Sequence, residues 1–339
     1  MTKNNKNIVV LGGGSFGTAI ANMIASNGHP TTLWMRDESN ARRCIELGEN
    51  DRYLPGYKLD QRLTISADLD AALKNSMLVF FSIPSKAFRE VCRQAAPFIK
   101  PETMVVSTAK GIEGESFKLM SNVLSEELER ARVGVISGPN LAREVACKEL
   151  TATVIASADK DLCDMVQRTL STDYFRVYAN SDMFGVELAG ALKNIYAITA
   201  GVASAMKLGQ NTMSMLITRS LAEMARFATR LGANPMTFIG LSGVGDLFVT
   251  CTSPLSRNFR VGQAIGQGKS LEDAIAEVGQ VAEGVNTTRT VKLKADELGI
   301  YMPLATGLYE VMFNGASIGE IVKNMMVSAQ TEDVEFRVQ

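Results

Sequence analysis

A chain of 339 residues, 46% hydrophobic and 21% charged, has enough apolar material for two domains with full cores. Its formal net charge of −1 gives no electrostatic case for a nucleic-acid partner or an anionic membrane surface. The five cysteines, Cys44, Cys92, Cys147, Cys163 and Cys251, are an odd and scattered set without a CxxC pair. That excludes a disulfide framework or a cysteine zinc site and points to reduced thiols in a cytoplasm.

The polar N-terminal hexapeptide leads directly into NIVVL at 7–11, a strand, with no signal-peptide core before it. Ser15–Asn27 then reads as a helix. Between them Gly12, Gly14 and Gly17 fit GxGxxG, in which the glycines allow a tight turn, close approach to a pyrophosphate and close helix–sheet packing. The alternative is a glycine-rich turn with no ligand, and its place in the first strand–helix unit favours a dinucleotide. Further strands are expected at 31–35, 77–83, 103–107, 133–137, 151–156 and 174–179. These short apolar runs, separated by helical stretches, predict a Rossmann-type parallel sheet buried on both faces.

The second strand ends in Trp34-Met35-Arg36-Asp37. Arg36 stands where an acid would hold the ribose hydroxyls of NAD, so NADP(H), or tolerance of both cofactors, is slightly favoured over a merely solvated charge. From about residue 182 the pattern becomes helical, at 184–208, 213–231, 270–278, 284–298, 304–313 and 317–326. This divides the chain into an α/β nucleotide-binding domain, 1–180, and an all-α substrate and catalytic domain, 181–339. The polar tail after Gln330 is expected to fray. Residues 186–206 are apolar enough to suggest a membrane helix, but Lys193 and Asn194 near the middle favour a buried helix of a soluble protein.

Three near-motifs carry nothing. GQAIGQGKS (262–270) has its first glycine one place too early for a P-loop, the SxxK of 107–110 has no KTG after it, and GLSGVG misses GxSxG by one residue. The single histidine, His29, lies in a turn of the first half, which excludes a His–Asp hydride-transfer dyad in the second. Proton transfer then falls to lysine. Lys193 has Ala189, Gly190, Tyr196 and Ala197 as its helical neighbours, none of them acidic. Desolvation there would bring its pKa towards neutrality; the alternatives are a snorkelling lysine or one paired with a distant carboxylate.

LGGGSFGTAIA, FSIPS, STAKGIE, ISGPN, ELAGALKNIYAI, GLSGVGDLFVTCTSPLSRN and VAEGVNT occur in that order between residues 7 and 330. As a set they resemble the bacterial NAD(P)-dependent sn-glycerol-3-phosphate dehydrogenase family. The resemblance implies reduction of dihydroxyacetone phosphate to sn-glycerol 3-phosphate for glycerophospholipid synthesis, by a cytoplasmic homodimer using NAD(P)H and no metal. It implies Lys193 as proton donor and acceptor, with Lys110, Asn194 and Asp246 in the catalytic set. It places Lys110, Gly138, Asn140, Lys193, Asp246, Ser256, Arg257 and Asn258 on the substrate, the last three gripping its phosphate. On the cofactor it places Gly12, Gly14, Ser15, Phe16, Gly17, Arg36, Lys110, Ala142, Arg257, Val281 and Glu283. Phe16 replaces a common tyrosine and Asn140 a common serine. A related dehydrogenase of hydroxy or sugar acids, and a nucleotide sensor without turnover, are the competing readings.

Overall fold

The computed structural model describes residues 7–114, 116–279 and 281–327. The tail expected to fray after Gln330 lies outside them. By contacts the chain groups into two compact units: Met1–Ala109 with Lys118–Met183, and Lys110–Phe117 with Phe184–Gln339. The sequence places a single boundary near residue 180, whereas Lys110–Phe117 joins the second unit because its contacts are with helices there.

The first unit is built on an eight-stranded sheet. Its strands are β1 (Asn7–Leu11), β2 (Thr31–Trp34), β3 (Leu63–Ser66), β4 (Ser76–Phe81), β5 (Met104–Ser107), β6 (Arg132–Ser137), β7 (Thr151–Ala156) and β8 (Phe175–Asn180), in the spatial order β8-β7-β6-β5-β4-β1-β2-β3. The connecting helices are α1 (Ser15–Ser26), α2 (Glu38–Leu47), α3 (Leu69–Leu73), α4 (Ser85–Ala95), α5 (Met120–Glu127), α6 (Ala142–Ala146) and α7 (Lys160–Leu170). Successive residues of the central strands serve opposite faces. Ile8, Val10, Leu78 and Phe80 pack into one core cluster, and Val9, Leu11, Val79 and Phe81 into the other. Burial on both faces explains why these strands read as continuous apolar runs.

Strands β1 to β6 are mutually parallel, the doubly wound arrangement that the sequence predicts. Strand β7 departs from it and pairs antiparallel with β6, with β8 parallel to β7 beyond. The connection between β6 and β7, residues 138–150, carries only the short helix α6. Strand β3, absent from the sequence reading, is a four-residue edge strand with no fully buried side chain.

The second unit is helical: α8 (Met183–Ala205), α9 (Gln210–Arg230), α10 (Asp246–Thr252), α11 (Arg257–Gly266), α12 (Leu271–Val278), α13 (Glu283–Leu298), α14 (Pro303–Asn314) and α15 (Ile318–Val327). In α8, 18 of 23 residues are buried, so it is the central helix of the unit. Among the described residues no helix is long and apolar enough to cross a membrane. Helices α8 and α11 touch backbone to backbone, since a Cβ at Gly201 would lie 2.0 Å from the Phe259 carbonyl oxygen, and one at Gly262 1.9 Å from that of Ile198. Glu223 of α9 accepts from the backbone N–H groups of Leu304 and Ala305, capping the start of α14.

Gly262→Ala therefore forces α8 and α11 apart. Its expected cost is about 1–3 kcal/mol, read as a lowered urea midpoint by circular dichroism. An unchanged midpoint would contradict this helix contact.

Candidate active site

In the nucleotide unit the glycine loop joins β1 to α1. Gly12 has φ +116°, and a Cβ there would sit 2.3 Å from the Ser82 carbonyl oxygen. A Cβ at Gly17 would lie 2.0 Å from the Gly12 carbonyl oxygen, so both positions must be glycine for the turn to close against α1. Gly14 differs, because a Cβ there meets nothing within 4 Å. It is the N-cap of α1, and no side chain caps that helix. Open backbone at an uncapped helix N-terminus suits a pyrophosphate, so these residues fit a dinucleotide.

Some of the other expected contacts in this unit have partners within it. The Ser15 hydroxyl donates to the Tyr53 carbonyl at 2.6 Å, and half-buried Phe16 packs on the core. Arg36 is exposed just beyond β2. Gly138 (φ +145°) follows β6, and Ala142 begins α6. The Asn140 amide donates to Thr153 Oγ1 at 2.8 Å, while its buried Oδ1 has no partner among the described residues.

In the helical unit one carboxylate organises the polar groups. Asp246, wholly buried at the start of α10, accepts from Lys193 Nζ on one oxygen and from Lys110 Nζ at 2.6 Å on the other. Lys193 also donates to Thr250 Oγ1 at 2.6 Å, and that hydroxyl donates to the Asp246 carbonyl. The distant carboxylate left open as a partner for Lys193 is thus Asp246, 53 residues away. Burial nevertheless dominates and pushes the Lys193 pKa down to about 7. The Asp246 charge opposes the shift, and the Lys110 charge adds to it.

Asn194, next in the chain, donates to the Lys110 carbonyl at 3.0 Å and accepts from the Asn258 amide at 2.9 Å. Asn258 Oδ1 accepts in turn from the Gly284 N–H at 3.0 Å, next to Glu283, the first residue of α13. Gly284 is required by this close approach, because a Cβ there would lie 2.5 Å from the Asn194 carbonyl. The structure thus gives Asn194 and Asn258 internal partners where the sequence leads one to expect substrate contacts. Ser256 is committed too: as N-cap of α11 its hydroxyl accepts from the Phe259 N–H, leaving Arg257 exposed in the first helical turn. Val281 is half exposed ahead of α13. Lys110, Lys193, Asn194, Asp246 and Asn258 are therefore joined in one network. Thr250, missed in the sequence, belongs to it, and its spacing of four from Asp246 on a helix is the signal that could have found it.

Two family models match the chain: the N-terminus of NAD-dependent glycerol-3-phosphate dehydrogenase at residues 7–163, and its C-terminus at residues 182–323. A glycerol-3-phosphate dehydrogenase [NAD(P)+] of Teredinibacter turnerae is 57% identical over 334 residues, 98% of each chain. One from Azotobacter vinelandii is 55% identical over 329 residues, 97% of this chain and 96% of that one. A crystal structure of the glycerol-3-phosphate dehydrogenase of Coxiella burnetii superposes with a TM-score of 0.92 at 36% identity, covering 96% of this chain and all of that one.

Asp246→Asn leaves two lysines with no buried counter-charge. The expected loss is about 3–5 kcal/mol in chemical denaturation at pH 6. It shrinks at pH 9, where folding no longer holds a charged Lys193 in the interior. Equal losses at both pH values would contradict the ion-pair assignment.

Proposed function

This chain belongs to the NAD-dependent glycerol-3-phosphate dehydrogenase family, and we propose that its chemistry is acid–base catalysis by Lys193. The protein is an NAD(P)-dependent oxidoreductase acting on the CH–OH group of glycerol 3-phosphate. The observation that carries the mechanism is the buried Lys193, held near neutrality by desolvation against Asp246.

The chemistry that NAD(P)H supplies when bound is a hydride for carbon 2 of dihydroxyacetone phosphate. The glycine loop and the N-terminus of α1 would hold its pyrophosphate; the family resemblance also assigns to the cofactor Ser15, Phe16, Arg36 and Ala142 of the nucleotide unit and Lys110, Arg257, Val281 and Glu283 of the helical one. Lys193, as the ammonium, donates a proton to the carbonyl oxygen as the C=O π bond opens, and is left as the neutral amine. In the reverse direction the neutral amine takes that proton back from the alcohol. Asp246 and Thr250 each accept one N–H of Lys193 and keep it oriented. Lys110 brings a second positive charge to the developing alkoxide. Asn194 positions Lys110 through its carbonyl, and Asn258 positions Asn194.

The substrate phosphate is assigned to Arg257 and the N-terminus of α11, which Ser256 caps; Gly138 and Asn140 complete the substrate set. An exposed guanidinium beside a helix N-terminus suits a phosphate dianion. Binding energy from that remote group fixes the reacting carbon. The product is the backbone of glycerophospholipids, so the reaction feeds their synthesis. A cytoplasmic location is supported by five free thiols. A homodimer is supported by the apolar outer residues of α15, where Val322, Met326 and Val327 are exposed and no residue is buried. Arg36 slightly favours NADPH.

Lys193→Met is expected to lower kcat for dihydroxyacetone phosphate reduction by about 10²–10⁴-fold, followed by absorbance of the reduced cofactor. In the wild type, kcat for reduction falls as pH rises through about 7, because the ammonium is the acid. Glycerol 3-phosphate oxidation rises through the same window. Near-normal turnover in Lys193→Met, or parallel pH profiles in both directions, would remove Lys193 from this role.

A further inference from the structure

Beyond the end of β2, where the adenosine ribose of a dinucleotide lies in this class of fold, residues 36–52 carry four arginines and five acids. Three ion pairs form: Arg42–Glu38, Arg43–Asp51 and Arg52–Asp37. The cation left over is Arg36, which makes no ion pair or hydrogen bond among the described residues.

Asp37 is the acid that could take the ribose hydroxyls, yet both of its oxygens are occupied. Oδ1 accepts from the Asn40 N–H at 3.0 Å, capping α2, and from the Ser39 hydroxyl at 2.6 Å. Oδ2 accepts from Arg52 Nη1 at 3.0 Å. Arg52 comes from the loop at 49–55, and that loop is fastened on both sides. Asn50, wholly buried, donates through Nδ2 to the Gly13 carbonyl at 2.9 Å and to Thr18 Oγ1 at 2.8 Å. Asp51 is held bidentate by Arg43 of α2. The Tyr53 carbonyl accepts from Ser15 at the start of α1, and the Arg52 guanidinium lies 5.2 Å over the Tyr53 ring. Arg52 is thus anchored to the phosphate-binding turn itself. Only one arm of its guanidinium is used, with Asp37 its one hydrogen-bond partner among the described residues.

Building on the NAD(P)H reading above, we propose that Arg52 is a second specificity-determining residue for the 2′-phosphate of NADPH. One arm neutralises Asp37, whose charge would otherwise repel a 2′-phosphate, and the other arm joins Arg36 in binding it. Tolerance of NADH follows from the same pair, because an Asp37 released from Arg52 can accept from a ribose hydroxyl. Dual use of cofactors then rests on one exchangeable ion pair and not on Arg36 alone.

The test is calorimetric titration of the full chain with 2′,5′-ADP and with 5′-ADP, which needs no turnover. The ratio of their affinities is compared in the wild type, Arg52→Met and Arg52→Met/Asp37→Asn. Asparagine caps a helix as well as aspartate does, so α2 is preserved in the double variant. Arg52→Met is expected to shift the ratio about 10-fold against 2′,5′-ADP, the worth of one charge-assisted hydrogen bond. The double variant should recover only the part of that shift due to the repelling carboxylate, because the arm lost with Arg52 is not restored. A wild-type ratio in Arg52→Met, or no recovery in the double variant, overturns the proposal. A wild type that binds neither nucleotide overturns the dinucleotide reading beneath it.

Discussion

The helical unit depends on one buried carboxylate shared by two lysines. Asp246 is almost wholly out of water, Lys193 nearly so, and Lys110 mostly so. Bringing such charges into an apolar interior costs more than their mutual attraction returns unless further hydrogen bonds are made. Thr250 supplies one to Lys193, and the first turn of α10 supplies a favourable dipole for Asp246. This pair is therefore a poor device for stability and a good one for reactivity. It leaves a lysine whose charged and neutral forms are nearly balanced at physiological pH.

Holding that pair in place requires close backbone approaches. Lys193 lies on α8 among alanines and glycines, and the same small residues let α11 and α13 come against the helix at Gly201, Gly262 and Gly284. The asparagine relay runs through this seam, from Gly284 to Asn258, to Asn194, to the Lys110 carbonyl. Each amide passes orientation to the next, and the relay ends on the segment that carries the second lysine. In the nucleotide unit Asn50 acts in a similar way, tying a separate loop to the phosphate-binding turn.

The parts of this architecture written in local pattern were legible in the sequence. The glycine loop stood between a recognisable strand and helix, and the acid-free surroundings of Lys193 showed in its neighbours on α8. What was missed depends on tertiary context. The reversal of β7 lies in how the strand pairs with β6, and nothing in its own residues signals it. Strand β3 is too short and too exposed to show a period. Ser256 and Asn258 read as a polar clamp, and their internal roles, Ser256 capping α11 and Asn258 bracing Asn194, could not be seen in the sequence. The pairing of Asp37 with Arg52 joins residues with no common periodicity, so only the fold displays it.

The central claim is that burial brings Lys193 close to neutrality while Asp246 keeps it paired. Nuclear magnetic resonance of the intact chain, carrying ¹³C at lysine Cε and assigned by comparison with Lys193→Arg, measures this directly. The account predicts one resonance titrating near pH 7, absent from the variant. A Lys193 resonance that keeps the ordinary lysine midpoint, near 10.4, would contradict it.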